Sequence, residues 1–256
     1  MTEMQDCKTN LIVFFADQTA GLDAITYVLN EHSEHLNFVV TMEDNEISDI
    51  ARSFNIQTFC YEEITAQNAK SIFGKIDLIF LAWWPEIIPD YIIQIPRIGV
   101  VNFHPSFLPY NRGKHYNFWT IVEGTPFGVT LHFVNEGIDS GDIIYQTAIE
   151  KTWVDTGGSL FLKAREAIIT LFKEKYLDIV NNNYTRIPQN LETGKFHFAK
   201  ELEPASQIHL DKTYSARELL NLLRARTFKG KPACYFFDGG KKYEVRVSIE
   251  EVDSEL

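Results

Sequence analysis

The sequence predicts an α/β fold: a Rossmann-like, mostly parallel sheet with helices on both faces, followed by a small C-terminal helix and β-hairpin module. Two observations carry that expectation. In the first hundred residues, short runs of β-branched and aromatic side chains alternate with stretches of helical periodicity, the pattern of βαβ units. Near the C-terminus, two short apolar runs flank Asp238-Gly239-Gly240-Lys241, the composition of a hairpin turn.

Taken in order, residues 11–16, 38–41, 77–82 and 98–103 are of strand length and strand composition. Between them, residues 22–30 and 47–54 carry apolar side chains at helical spacing. Residues 127–135 and 142–149 read as two further strands, an antiparallel pair joined by a Gly-rich turn. Residues 159–180 predict a long amphipathic helix whose stripe is Leu160, Ala164, Ala167, Ile168, Leu171 and Leu177; Asn181, Asn182 and Asn183 end it. Residues 184–210 are polar and irregular, consistent with a linker over the surface. A helix over 214–226, with Leu219, Leu220, Leu222 and Leu223, leads to hairpin strands at 233–237 and 243–249. An isolated hairpin is marginal in water, so it should pack on the main domain or on a second subunit. The expected division is an α/β domain over residues 1–183, a linker over 184–210 and the small module over 211–256.

Composition narrows the partners. The chain carries 24 Lys+Arg against 35 Asp+Glu, net −11. That argues against a nucleic-acid surface, because phosphate contacts need Lys and Arg. No apolar run approaches the ~20 residues that span a bilayer, so no membrane partner is expected. The surplus is uneven: residues 1–80 are net −9, residues 81–150 net −4 and residues 151–256 net +2. Cys7, Cys60 and Cys234 are odd in number and lack metal spacing, which fits a reducing cytoplasm without disulfides or a zinc site.

The segment after the first strand, ADQTAGLDAI, lacks G-x-G-x-x-G and gives no reason to assign a dinucleotide. No P-loop and no G-x-S-x-G elbow occur. The informative blocks are residues 101–119 and 128–146. Strand alternation puts Asn102 and His104 on one side, at the carboxyl end where open α/β sheets bind ligands. An amide donor beside an imidazole suits acyl transfer: one hydrogen-bonds a carbonyl oxygen as it gains charge, the other handles protons. The plainer alternative is that Asn102 caps a turn and His104 is a hydrogen-bonded buried histidine. In the second block, Asp139 or Asp142 either makes Asx-turn bonds or approaches His104 and raises its pKa. A hydrolase triad through Ser106 is disfavoured, since Ser106 follows Pro105 on no recognisable elbow. A metal site from His104, His115, His132 and Asp139 lacks helical spacing, and His132 reads as an ordinary strand residue; no metal is expected.

Asn102-Phe103-His104-Pro105-Ser106-Phe107-Leu108-Pro109 with Arg112-Gly113, then Gly128-Val129-Thr130, then Gly137-Ile138-Asp139-Ser140-Gly141-Asp142, resembles the 10-formyltetrahydrofolate-dependent formyltransferase family, whose members act on phosphoribosylglycinamide, methionyl-tRNA and nucleotide sugars. The three motifs lie in order over roughly residues 75–150. The resemblance implies a triad of Asn102, His104 and Asp139, with Asp139 chosen as the first aspartate of its loop. Residues 109–119 and the tail 223–228 are similar to the nucleotide-sugar N-formyltransferases. That likeness implies 10-formyltetrahydrofolate as co-substrate and a dTDP-linked amino-dideoxy sugar as acceptor, 4-amino-4,6-dideoxyglucose above all, for bacterial surface polysaccharide. Other amines remain alternatives, namely a 3-amino sugar nucleotide or phosphoribosylglycinamide, as does a non-catalytic ligand-binding module. Length and charge disfavour tRNA.

In the implied reaction a neutral amine attacks the formyl carbon, Asn102 and protonated His104 stabilise the oxyanion, and Asp139 tunes His104. The pterin is expected against Trp83, Trp84 and Ile88 on one wall and Val134, Glu136 and Gly137 on the other. Trp83 and Trp84 are adjacent in a strand end, so at most one should face it. Arg112, Lys114, His115 and Asn117 are the expected sugar and diphosphate contacts, with Arg224 or Arg226 supplying further positive charge. A homodimer through the C-terminal module is expected.

Overall fold

Strands with no polar face are strands covered on both sides. In the computed structural model, which describes residues 11–252, β1 (Ile12–Ala16) reads IVFFA and is buried at every residue. β2 (Leu36–Thr41), β3 (Gln57–Cys60), β4 (Leu78–Ala82) and β5 (Gly99–His104) join it in the parallel order β3-β2-β1-β4-β5. The two-residue β6 (Arg112–Gly113) stands apart. β7 (Gly128–Phe133) and β8 (Ile143–Ala148) complete the seven-stranded sheet, antiparallel to their neighbours. The order reverses at β1, where β2 lies on one side and β4 on the other, and the crevice outside the carboxyl ends of β1 and β4 is where such sheets bind ligands.

Helices α1 (Gln18–Glu31), α2 (Glu46–Ser53), α3 (Ala69–Phe73), α4 (Asp90–Ile93), α5 (Tyr116–Val122) and α6 (Gly157–Val180) divide between the two faces. Ile12, Phe14 and Ala16 share a core with α1, α2, α5 and α6, while Val13 and Phe15 share the other with α3 and α4. Side-chain alternation along each strand thus builds two cores from one sheet. Within α6, Thr156 caps the N-terminus by accepting from the Ser159 N–H. Its buried stripe runs through Leu160, Ala164, Ile168, Leu171, Phe172 and Tyr176. Leu177, expected on that stripe, is 47% exposed. One residue is about 100° of helix turn, and the aromatic face set by Phe172 and Tyr176 leaves Leu177 outside.

β3 is not among the expected strands, because its QTFC has little apolar content and lies at the sheet edge. Residues 184–210, expected as a linker over the surface, are structured. That segment holds β9 (Phe196–His197), which pairs parallel with β6, and α7 (Leu202–Ala205), and Ile187 bridges to Ile143. Then α8 (Ala216–Ala225), capped by Ser215 with Glu218 in a capping box, packs on α5. β10 (Cys234–Asp238) and β11 (Lys241–Val245) form the hairpin. Gly239 and Gly240 are its two loop residues, with φ 53° and 77°, as a turn with positive φ at both central positions needs. The second strand starts two residues earlier than expected because this loop is only two residues long. Cys60 and Cys234 are free, and Cys7 lies outside the described residues. No described helix is long and apolar enough to cross a membrane.

Phe172 is fully buried among Phe14, Phe80, Phe103 and Tyr176, with ring centroids 4.7–5.9 Å away. Phe172→Ala is expected to cost roughly 3–5 kcal/mol of stability, measured by urea denaturation. A cost below about 1 kcal/mol would contradict this packing.

Candidate active site

The last turn of β5 presents Asn102 and His104 on the same side of the strand, and both line a cavity of about 530 Å³ at the carboxyl end of the sheet. The register with β7 sets Asn102 opposite His132 and His104 opposite Thr130. Thr130 fixes the chain leaving β5: its hydroxyl donates to the Ser106 carbonyl (2.7 Å) and accepts from the Leu108 N–H (3.2 Å). Ser106 donates its hydroxyl to the Tyr110 carbonyl and plays no part with His104. The hydrolase triad is thereby set aside.

The loop between β7 and β8 brings in Asp139. It adopts φ 49°, in the left-handed region that a non-glycine residue enters only when held there. Asp139 Oδ2 accepts from the Gly113 N–H at 2.9 Å, while Oδ1 lies 3.4 Å from His104 Nδ1 and 3.7 Å from His132 Nε2. The Asx-turn role in this loop falls instead to Asn135, which accepts from the Gly137 N–H and the Ser140 hydroxyl.

The protonation states follow from burial. His104 is 5% exposed. Burial pushes its pKa below the usual imidazole value, against the pull of Asp139 and of a bond to the Asn111 backbone. An imidazolium loses its hydration here, and one carboxylate only partly offsets that loss. Asp139, facing Nδ1, favours the proton there. Nε2 is left buried and without a hydrogen-bond partner among the described residues, as an acceptor at the cavity. Burial lowers His132 further, to about 4. Its Nδ1 faces the Phe133 carbonyl at 2.9 Å, so the neutral ring donates there and Nε2 accepts from the Asn102 amide at 3.2 Å. Burial alone would raise the Asp139 carboxyl, but His104, His132 and the Gly113 N–H together hold it below its ordinary value.

His104, His132 and Asp139 also have their ligand atoms within 4.8 Å of one another, a spacing that could hold a divalent cation. A second such group is His32, Glu34 and His35, beyond the opposite ends of the strands.

Of the other expected residues, Trp83, Trp84, Ile88, Val134, Glu136, Gly137, Lys114 and His115 line the cavity. Trp83 packs edge-on to Phe161 in one core, and Trp84 packs on Phe15 and Tyr61 in the other. They do diverge to opposite faces, but the cavity reaches past both; Trp83 takes a left-handed conformation (φ 58°) just beyond the strand end. Arg112 and Asn117 do not line it. The Arg112 guanidinium donates to the Leu191 and Gly194 carbonyls, and the Asn117 amide donates to the Gly157 carbonyl. Arg224 is likewise buried, donating to the carbonyls of Thr152 and Asp155. Arg226 bonds the Ser206 hydroxyl at 2.9 Å, and its charge, with that of Lys114, adds to the burial that lowers His115.

His132, expected as an ordinary strand residue, and the wall formed by Phe196, His197, Phe198 and Ala199 join the expected residues at the cavity. A histidine in a buried strand carries little signal in one dimension, although His132 is the register partner of Asn102 once the two strands meet.

Residues 9–173 match the family described as Formyl transferase, and residues 201–251 match the N-formyltransferase dimerization C-terminal domain. Methionyl-tRNA formyltransferase of Clostridioides difficile (strain 630) is 30% identical over 230 residues, covering 83% of this chain and 72% of that protein. dTDP-4-amino-4,6-dideoxyglucose formyltransferase of Mycobacterium tuberculosis (strain H37Rv) is 31% identical over 188 residues, covering 72% of this chain and 78% of that protein. Among solved structures, the N-formyltransferase of Helicobacter canadensis in complex with folinic acid and dTDP-3-aminofucose superimposes with a TM-score of 0.72 at 20% identity, over 91% of this chain and 86% of that one. A cavity-facing amide, imidazole and carboxylate on this sheet thus coincide with a family match over most of the sequence: the chain belongs to the formyl transferase family and is an N-formyltransferase.

Proposed function

We propose that the enzyme transfers the formyl group of 10-formyltetrahydrofolate to the primary amine of a nucleotide-linked amino-dideoxy sugar, with dTDP-4-amino-4,6-dideoxyglucose as the foremost acceptor, for surface-polysaccharide synthesis. The observation that carries the reading is the unpartnered His104 Nε2 at the cavity, backed by Asp139 and flanked by Asn102. The M. tuberculosis relative acts on that sugar, and the H. canadensis enzyme holds a folate with a dTDP-amino sugar. A tRNA acceptor is disfavoured by a net charge of −11.

The amine nitrogen bonds to the formyl carbon, and the carbonyl electrons move to oxygen. The Asn102 amide, with one N–H on His132, offers its second N–H to that oxyanion. His104 Nε2 takes the proton that the amine sheds, and Asp139 stabilises the imidazolium formed. Collapse breaks the carbon–N10 bond, and the proton passes to N10, giving a formamide and tetrahydrofolate. The pterin lies between Trp83, Trp84 and Ile88 on one side and Val134, Glu136 and Gly137 on the other. Lys114 and His115 serve the sugar nucleotide. The hairpin leaves Phe237 (52%) and Tyr243 (43%) exposed, which supports a homodimer through the C-terminal module.

Incubation with 10-formyltetrahydrofolate and dTDP-4-amino-4,6-dideoxyglucose is expected to yield the formamido sugar by mass spectrometry, with a 3-amino sugar nucleotide and methionyl-tRNA as comparison acceptors. Asn102→Ala, His104→Ala and Asp139→Asn should each lower turnover by roughly 100-fold or more with the fold intact by circular dichroism. A folded His104→Ala enzyme with near wild-type turnover would sink the mechanism.

Turnover requires neutral His104, so kcat should fall as pH drops through its depressed pKa. The acid limb of the kcat profile is therefore expected below the ordinary histidine value of about 6.5. Asp139→Asn removes a group that raises His104 and should move that limb lower still. A limb centred above about 6.5 would contradict the assignment.

Light scattering at micromolar concentration is expected to return twice the 29.5 kDa chain mass. A monomer would overturn the dimer.

A further inference from the structure

Residues 174–200 fall between the two matched family regions, and from residue 184 onward they are expected only as a linker. Their contacts converge on one residue. Gln189 donates its amide N–H groups to the Asp139 carbonyl (3.0 Å) and the Gly141 carbonyl (2.7 Å). Next to it, Ile187 exchanges both backbone bonds with Ile143, at 2.9 Å each, where the Asp139 loop enters β8. Further along, the Arg112 guanidinium holds the Leu191 and Gly194 carbonyls, and the Arg112 and Lys114 N–H groups donate to the carbonyls of Lys195 and His197 (3.0 Å each). Gly113 lies between those two residues, and its N–H is the donor to Asp139 Oδ2.

We infer that residues 187–197 form a strap that sets the place of Asp139, with Gln189 as the positioning residue acting through the Asp139 main chain. The strap grips Asp139 twice: at its carbonyl through Gln189, and at its carboxylate through the Gly113 N–H that the β6–β9 pairing presents. Little slack exists. A Cβ on Gly194 would stand 1.9 Å from the Pro109 carbonyl oxygen, and one on Gly113 would stand 2.4 Å from that of His197. The far end is pinned by His197, stacked on Trp119 at 3.9 Å and paired with Glu201 at 3.0 Å.

Such a constraint has leverage because Asp139 meets His104 at 3.4 Å, at the margin of a direct hydrogen bond. Asp139 sits at φ 49°, in the left-handed region, and Gln189 holds the carbonyl of that same residue. Burial lowers the proton affinity of His104 most; against it Asp139 and the Asn111 backbone raise it, and Lys114 lowers it further, while His132 stands 5.9 Å away ring to ring. Of these, Asp139 is the one whose main chain Gln189 grips.

The inference rests on Asp139 being catalytic, and the experiment separates the two. Gln189→Met keeps the length and removes both donors; Gly194→Ala displaces the strap by a different route. In the full-length enzyme each is expected to lower kcat roughly 10- to 100-fold, with KM for both substrates changed less than about threefold, and to move the acid limb of kcat to lower pH. Combined with Asp139→Asn, Gln189→Met should add no further loss. A folded Gln189→Met enzyme with wild-type kcat, or one whose kcat falls with an unmoved limb, overturns the strap while an inactive Asp139→Asn leaves the catalytic reading standing. Wild-type turnover in Asp139→Asn overturns both.

Discussion

One carboxylate, that of Asp139, sits 13% exposed beside two buried imidazoles, and the site is arranged around the need to keep it there as an anion. A charge removed from water is costly unless hydrogen bonds and opposite charge replace its hydration. Asp139 receives one strong donor from the Gly113 backbone and a dipolar environment from His104 and His132. The neighbouring rings stay neutral at rest because burial outweighs the single carboxylate they share. The rest follows in sequence: the proton of His104 stays on Nδ1, Nε2 opens to the cavity, and neutral His132 orients the Asn102 amide. A site with no net cation at rest can accept a proton from an amine, and the imidazolium then forms opposite an anion already in place.

The same economy of charge marks the outer part of the cavity. The chain is acidic, while folate and a sugar-linked diphosphate are both anions. Two of the arginines expected to help them, Arg112 and Arg224, instead hold backbone carbonyls. This suits guanidinium, whose planar fork can serve several carbonyls at once. Lys114 and His115 remain at the cavity, with Arg226 contributing through space. A few cations within a negatively charged molecule concentrate attraction for anionic ligands on one mouth rather than over the whole surface.

Much of this was legible in one dimension. The α/β alternation came through because β1 and β4 are uniformly apolar, and Asn102 with His104 came through because a strand repeats its faces every second residue. Asp139 was singled out by its motif. What was not legible shares a cause. β3 lies at the sheet edge with one strong apolar residue, so its pairing rather than its composition makes it a strand. Leu177 fits a helical stripe as well as Phe172 does, and only the aromatic cluster between α6 and the sheet decides which face turns inward. Residues 184–210 are polar because their side chains and backbone bond other loops, a composition that a linker shares.

The sequence by itself carried the sheet, its carboxyl-end crevice and the placing of Asn102 beside His104, since each depends on patterns within a single strand, while Asp139 rather than Asp142 came from the family resemblance of its loop. The tertiary structure decided His132, the anchoring role of Arg112 and the grip of Gln189 on Asp139. Each joins residues 30 or more positions apart. Such partners are chosen by strand register and backbone approach, which are properties of the whole packed sheet and leave no trace in local spacing.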